Sequence, residues 1–206
     1  MALATFWQAI TIAVVVTGAT AALGSGSSSA HPSVMLTGGI TSQPIGHYNY
    51  CQRFLGECAI RPEIRQPHSA SLEFLRTLRD VTVAVNLAIR PVSDSDLYGV
   101  DEFWTLPDGA GDCEDYVLQK QRILAAKGVS RANLLITVLR KPDGEGHAIL
   151  TVRTTGGDFV LDNLNDEVKP WDETGYTYLK RQASNHTGRW VTIEDGHGEP
   201  LVASIR

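Results

Sequence analysis

Gly111-Asp112-Cys113-Glu114-Asp115-Tyr116 opens a stretch with helical periodicity that runs to Lys127, and Asn133–Leu139 (NLLITVL) follows with the character of a buried strand. The change of period between them, at Gly128, decides the fold class. In the first stretch Val117 and Leu124 share a stripe with Cys113. Gly128 suits the position just beyond a helix end. Asp112 suits the N-cap, with Asp115 three residues on closing a box-like start.

Working outward, the elements segregate. Upstream, Ser69–Ile89 reads as a long helix: Leu72, Leu75, Leu78, Val81, Val85, Ala88 and Ile89 keep one face apolar, and Pro91 stops it. Val92–Gly109 reads as a polar loop carrying Tyr98, Phe103 and Trp104, and His31–Ile64, rich in Gly, Pro and Ser, as a surface wrap with little regular structure. Downstream, Lys141-Pro142-Asp143-Gly144 is a turn. His147–Arg153 and Asp158–Asn163 flank Thr154-Thr155-Gly156-Gly157 as a hairpin, and Trp190–Ile193 is a last strand. Helices first and antiparallel strands after predict an α+β fold.

The hairpin register matters for chemistry. If Arg153 faces Asp158, Asp162 falls opposite Ile149, with His147 as its same-face diagonal neighbour. If Arg153 faces Gly156, Asp162 stands opposite His147. Either register brings imidazole and carboxylate to one face. A thiol at a helix start, a base and a carboxylate that fixes the base's tautomer are what nucleophilic catalysis by cysteine requires. Taken singly, Cys113 also reads as a structural cysteine, His147 as a solvated strand-edge histidine and Asp162 as a turn cap.

The bulk properties narrow the class. Ile10–Leu23 is apolar, Gly24–Ala30 (GSGSSSA) is small and polar, and Ser28-Ser29-Ala30 fits a small-x-small cleavage rule. Residues 1–30 therefore read as a signal peptide and residues 31–206 as one domain. No Lys or Arg precedes Arg53, which departs from the usual charged start of such leaders. A retained anchor is the alternative, although the apolar run is short for a span. A net charge of −5 with no basic stripe argues against a nucleic-acid partner. Cys51 and Cys58 are close in sequence, and an exported setting favours a disulfide between them; a zinc site and two free thiols are the other readings. Pairing them leaves Cys113 odd.

GDCEDY at 111–116, GHAILTV at 146–152 and VLDNL at 160–164, in this order and spacing, resemble the bacterial transglutaminase-like cysteine proteinases. GHYNYC at 46–51 and the stretch holding Tyr178, Arg181 and Trp190 resemble the short exported members of that family, so the likeness spans about residues 44–193. It implies a papain-like, transglutaminase-type core, with the helix bearing Cys113 packed on an antiparallel sheet bearing His147 and Asp162. It further implies Cys113 as nucleophile, His147 as base and Asp162 as its orienter, acting through a thioester on a protein substrate of the cell envelope. The expected location is the periplasm, without stable membrane insertion once the leader is removed. Relatives bind calcium through acidic residues around the cysteine, and the matching positions are Asp112 and Glu114, with Asp115 beside them. Hard oxygen donors suit that ion. A transferase on the same scaffold and a binding protein without catalysis are the rival readings.

Overall fold

The structure is a computed structural model that describes Met1 and residues 33–194. The expected leader, residues 1–30, lies outside the described residues apart from Met1, and residues 33–194 all belong to the unit His31–Arg206. Among the described residues no helix is long and apolar enough to cross a membrane.

The architecture is α+β. A seven-stranded antiparallel sheet is built from β1 (Leu36–Thr41), β4 (Leu134–Arg140), β5 (Gly146–Thr154), β6 (Gly157–Leu161), β7 (Lys169–Pro170), β8 (Thr177–Ala183) and β9 (His186–Glu194). Its order is β1-β9-β8-β4-β5-β6-β7. Against it pack α3 (Leu72–Ala88) and α5 (Cys113–Ala126), which also pack on each other. Shorter helices α1 (Ile45–Arg53), α2 (Leu55–Cys58) and α4 (Asp94–Tyr98) and a two-stranded parallel pair, β2 (Arg90–Pro91) with β3 (Ala110–Gly111), complete the described fold.

The long helix begins at Leu72, the first residue of its apolar stripe, and not at Ser69. Ser71 is the N-cap, its hydroxyl accepting from the Phe74 N–H at 3.1 Å, so Ser69 and Ala70 stay outside. Its buried face, Phe74, Leu78, Val81 and Val85, meets Val117 and Leu124 of α5 and Ile136, Leu150 and Leu161 of the sheet in one core. Full burial of each such side chain contributes about 1.5–3 kcal/mol. At the end of α5, Gly128 takes φ +90° and Val129 N–H donates to the Leu124 carbonyl, which satisfies the last turn.

Three expectations need correction. The segment His31–Ile64 is more regular than its composition suggests: within it β1 pairs with β9, and α1 and α2 carry Cys51 and Cys58. The partner of β1 is over a hundred residues away, so no local pattern announces that strand. The loop Val92–Gly109 contains α4, capped by the Ser93 hydroxyl. The final strand extends to His186–Glu194, and it pairs with β8, a strand whose period is too weak to mark it in the sequence.

The β5–β6 register is the one with Arg153 opposite Asp158. A two-residue turn, Thr155-Gly156, follows from the Thr154–Gly157 pairing, and Gly157 at φ +112° occupies backbone space that suits glycine. The alternative register is excluded. The ladder stops at Leu150–Leu161, so Asp162 leaves the sheet one residue beyond its last pairing.

Candidate functional site

Cys113 is the first residue of α5 and is a free thiol. Packing of α5 on β5 brings it against the core cluster that holds Ala148, whose backbone works to favour the thiolate. Ala148 follows His147, so this packing, which no hairpin argument supplies, sets the helix bearing Cys113 on the strand that carries His147.

His147 and Asp162 are buried, and His147 Nε2 lies 2.8 Å from Asp162 Oδ1. With the carboxylate accepting, Nε2 carries the proton and Nδ1 is left as the nitrogen that accepts one. The carboxylate is itself held: Leu164 N–H donates to Oδ1 at 3.0 Å and the Tyr176 hydroxyl donates to Oδ2 at 2.6 Å. Burial works to raise the Asp162 carboxyl, but the hydrogen bond and charge of His147, with these two donors, outweigh it and hold the group below its ordinary value. The Tyr176 ring also stands edge-on to His147. Asn86 of α3 donates to the Asp162 carbonyl at 2.9 Å and fixes the loop from behind.

The helix start departs from the simple capping picture. Asp112 is the N-cap by position, but its side chain makes no cap hydrogen bond; its Oδ2 accepts from Asp94 N–H at 3.2 Å. Asp115 does not reach back to close a box. Its Oδ1 accepts the Thr105 N–H at 2.9 Å, and a side chain at Gly111 would collide with its carboxylate. The β2–β3 pair explains why: it ties Pro91 to Gly111, so the intervening loop returns over the helix start. Asp94 then meets Asp112 and Glu114, with one oxygen of each within 4.8 Å of the others, and Phe103 N–H donates to Asp94 Oδ2. Asp115 stands outside this group of three. Asp94 was not singled out by sequence, because it lies in a different loop with no motif spacing to Cys113.

The electrostatics here oppose the thiolate that a helix start by itself would favour. The Cys113 thiol donates to Glu114 Oε2 at 3.1 Å, and burial, then the Glu114 charge, push the thiol well above its ordinary value. Burial and the Asp112 charge push Glu114 up to about 9, and burial takes Asp115 up to about 7. Crowded, desolvated carboxylates outweigh the helix dipole, whose effect is modest. Buried oxygens Asp94 Oδ1 and Asp112 Oδ1 have no donor. Hard acidic donors, mutual repulsion and orphaned oxygens together fit a calcium ion.

Cys51 and Cys58 form a disulfide, which leaves a zinc site no thiolates there. It packs on His47, which is enclosed and accepts from Trp190 Nε1 at 3.2 Å. Burial, then the Arg131 charge, lower His47 to about 4, so it is neutral and structural. Trp104 is buried against His47 as a core residue and does not line an open cleft.

A mixed fold with a free cysteine at the start of a helix, packed on a strand that pairs histidine with a buried carboxylate, is a transglutaminase-like cysteine peptidase. Residues 37–198 match the family described as bacterial transglutaminase-like cysteine proteinase (BTLCP), and the chain belongs to it. Among solved structures, Legionella pneumophila LapG is similar at 25% identity over 56% of this chain and 67% of that chain, with a TM-score of 0.48. Its calcium-bound form is similar at 20% identity over 66% of this chain and 77% of that chain, with a TM-score of 0.50, a likeness of fold. An EGTA-treated form is similar at 24% identity over 56% of this chain and 66% of that chain, with a TM-score of 0.48. No curated protein matches the chain significantly.

Proposed function

We propose that the chain is an exported cysteine endopeptidase in which Cys113 is the nucleophile, His147 the general base and acid, and Asp162 the residue that orients it. The observation that carries this reading is the buried His147–Asp162 pair at 2.8 Å, with His147 on β5, the strand on which the helix that begins with the free thiol packs. Cys113 Sγ attacks the scissile carbonyl and its proton passes to His147 Nδ1. The imidazolium then protonates the leaving amine, leaving a thioester, which water hydrolyses with His147 taking the water's proton.

Calcium belongs to the same reading, since a calcium-bound relative is known and the acidic group here fits that ion. Asp94, Asp112 and Glu114 would hold it, with Asp115 behind them. When bound, it supplies positive charge that offsets the carboxylates and fixes the first turn of α5. Asp112 and Glu114 then stop opposing the Cys113 thiolate.

The substrate class is a protein of the cell envelope and the location is the periplasm. The leader reading of residues 1–30 and the Cys51–Cys58 disulfide, which an oxidising compartment sustains, support both. The test is alkylation of Cys113 by iodoacetamide with calcium or EGTA, combined with mapping of cleaved proteins in the envelope fraction. Rapid, calcium-dependent labelling of Cys113 and cleavage lost in Cys113→Ala are expected. An unreactive Cys113 in calcium-loaded protein overturns the assignment.

A further inference from the structure

One peptide unit of the loop over the start of α5 is held from both sides. Arg53, in the last turn of α1, donates from a terminal guanidinium nitrogen, Nη2, to the Trp104 carbonyl at 2.7 Å. The N–H on the far side of the same peptide, that of Thr105, donates to Asp115 Oδ1 at 2.9 Å. A trans peptide is planar and rigid, so fixing its oxygen fixes where its N–H points. The guanidinium carbon also lies 3.9 Å from the centroid of the Phe103 ring, and the Phe103 N–H donates to Asp94 Oδ2. Arg53 therefore grips the ring of Phe103 and the carbonyl of Trp104, and the segment it grips ties two of the carboxylates around the start of α5.

The tether uses one oxygen of each carboxylate. Asp94 Oδ1 and Asp115 Oδ2 are buried and have no donor, so each side chain is oriented through one oxygen and keeps the other for an ion. Arg53 is itself anchored. Cys51, two residues before it, is bonded to Cys58. Trp104 packs edge-on to His47 of the same helix and so close to Gly46 that a side chain there would collide with it. Arg53 is exposed and adds nothing to the core, whereas Trp104 is seated in the core by its own ring. What the arginine contributes is the direction of the peptide.

We infer that Arg53 is a positioning residue of the calcium site: it clamps the segment Phe103–Thr105 so that the Phe103 and Thr105 N–H groups hold Asp94 and Asp115 beside the start of α5. The inference rests on the calcium reading above. Arg53 touches neither the ion nor the thiol and acts through those two carboxylates. Partners that orient metal ligands commonly change affinity by about tenfold or more when removed. The sign of the effect separates this role from that of a bare charge. The Arg53 charge reaches Asp94, and a cation there repels a calcium ion. Removing the charge alone would therefore tighten binding, whereas losing the clamp loosens it.

The test is calorimetric titration of calcium into wild type, Arg53→Met and Arg53→Lys, each stripped of the ion with EGTA and dialysed. Melting temperature is recorded in EGTA, and Cys113 alkylation by iodoacetamide is timed at limiting and at saturating calcium. Arg53→Met should bind calcium about tenfold more weakly than wild type. Arg53→Lys keeps the charge but not the flat fork that reaches a carbonyl while covering a ring, and should fall between the two. Both variants should melt within about 4 °C of wild type in EGTA, because the substituted side chain is exposed. Labelling of Cys113 should slow at limiting calcium and return to the wild-type rate at saturation, which a general structural defect would not allow. Equal or tighter binding by Arg53→Met, or slow labelling that calcium does not restore, overturns the proposal. So does unfolding of both variants, which would make the arginine a folding residue. Failure of the calcium reading looks different: wild type itself would give no calcium heat, and the inference would fall with it.

Discussion

The Tyr176 hydroxyl donates to Asp162 Oδ2 at 2.6 Å and occupies the carboxylate oxygen that His147 leaves open. The Asp162 carboxylate is therefore held on both oxygens, Oδ1 by His147 and Oδ2 by a tyrosine from the segment leading into β8. Hydrogen bonds to a charged acceptor contribute about 1.5–3 kcal/mol each. Tyr176→Phe should lower turnover about three- to tenfold with little change in KM, since it loosens His147 without touching the thiol.

The same substitution has a pH signature. Asp162 is held below its ordinary value in the folded chain, so it contributes stability above the unfolded value of about 4, and that stability is lost as pH falls through the folded value. Removing the Tyr176 donor raises the folded value and shrinks the contribution. Urea unfolding should show Tyr176→Phe less stable than wild type at neutral pH, with the gap closing below about pH 4. An undiminished gap at low pH would assign the loss to packing.

Removing the base and unseating it should differ in size. His147→Ala leaves the thiol no proton acceptor and should abolish turnover. Asp162→Asn keeps the shape of the pair but lets the amide favour the other tautomer, with a loss on the order of 10²-fold or more. Single-turnover rates separate the two, and equal losses would deny Asp162 a purely orienting role.

Calcium binding should be linked to protons. Glu114 stands at about 9 and Asp115 at about 7, both raised chiefly by burial, so the ion-free site is partly protonated at neutral pH. An ion that needs carboxylates displaces those protons, so affinity should rise as pH increases towards 9. Calorimetric titration in two buffers of different ionisation enthalpy measures the release directly. Asp94→Asn should weaken binding more than Asp115→Asn, because Asp94 lies in the group of three acidic residues and Asp115 does not.

The disulfide tests the thiol inventory. Replacing Cys51 and Cys58 together by Ser opens a loop of sequence separation 7, a loss of about 2–3 kcal/mol in the chain-entropy model and roughly 5–10 °C in Tm. Peptide mapping of unreduced protein should find Cys113 alone alkylated. Rapid alkylation of Cys51 or Cys58 in unreduced protein would contradict the pairing.

The sequence alone was enough to read what depends on near neighbours. The helix through Cys113 ends at Gly128 because glycine takes the φ +90° found there, and the hairpin placed Asp162 near His147 because strand pairing after a two-residue turn leaves little freedom. The motifs around Cys113, His147 and Asp162 were enough to identify the family, which the match over residues 37–198 bears out. What the tertiary structure decided is every contact made across the chain. Asp94 reaches Asp112 only because β2 and β3 pair, Tyr176 reaches Asp162 across a loop, and β1 finds β9 from the far end of the domain. The fate of each charge also waited on packing. Periodicity can mark a face as buried, but how far burial moves Glu114 or Lys120 depends on which charges the fold sets against them.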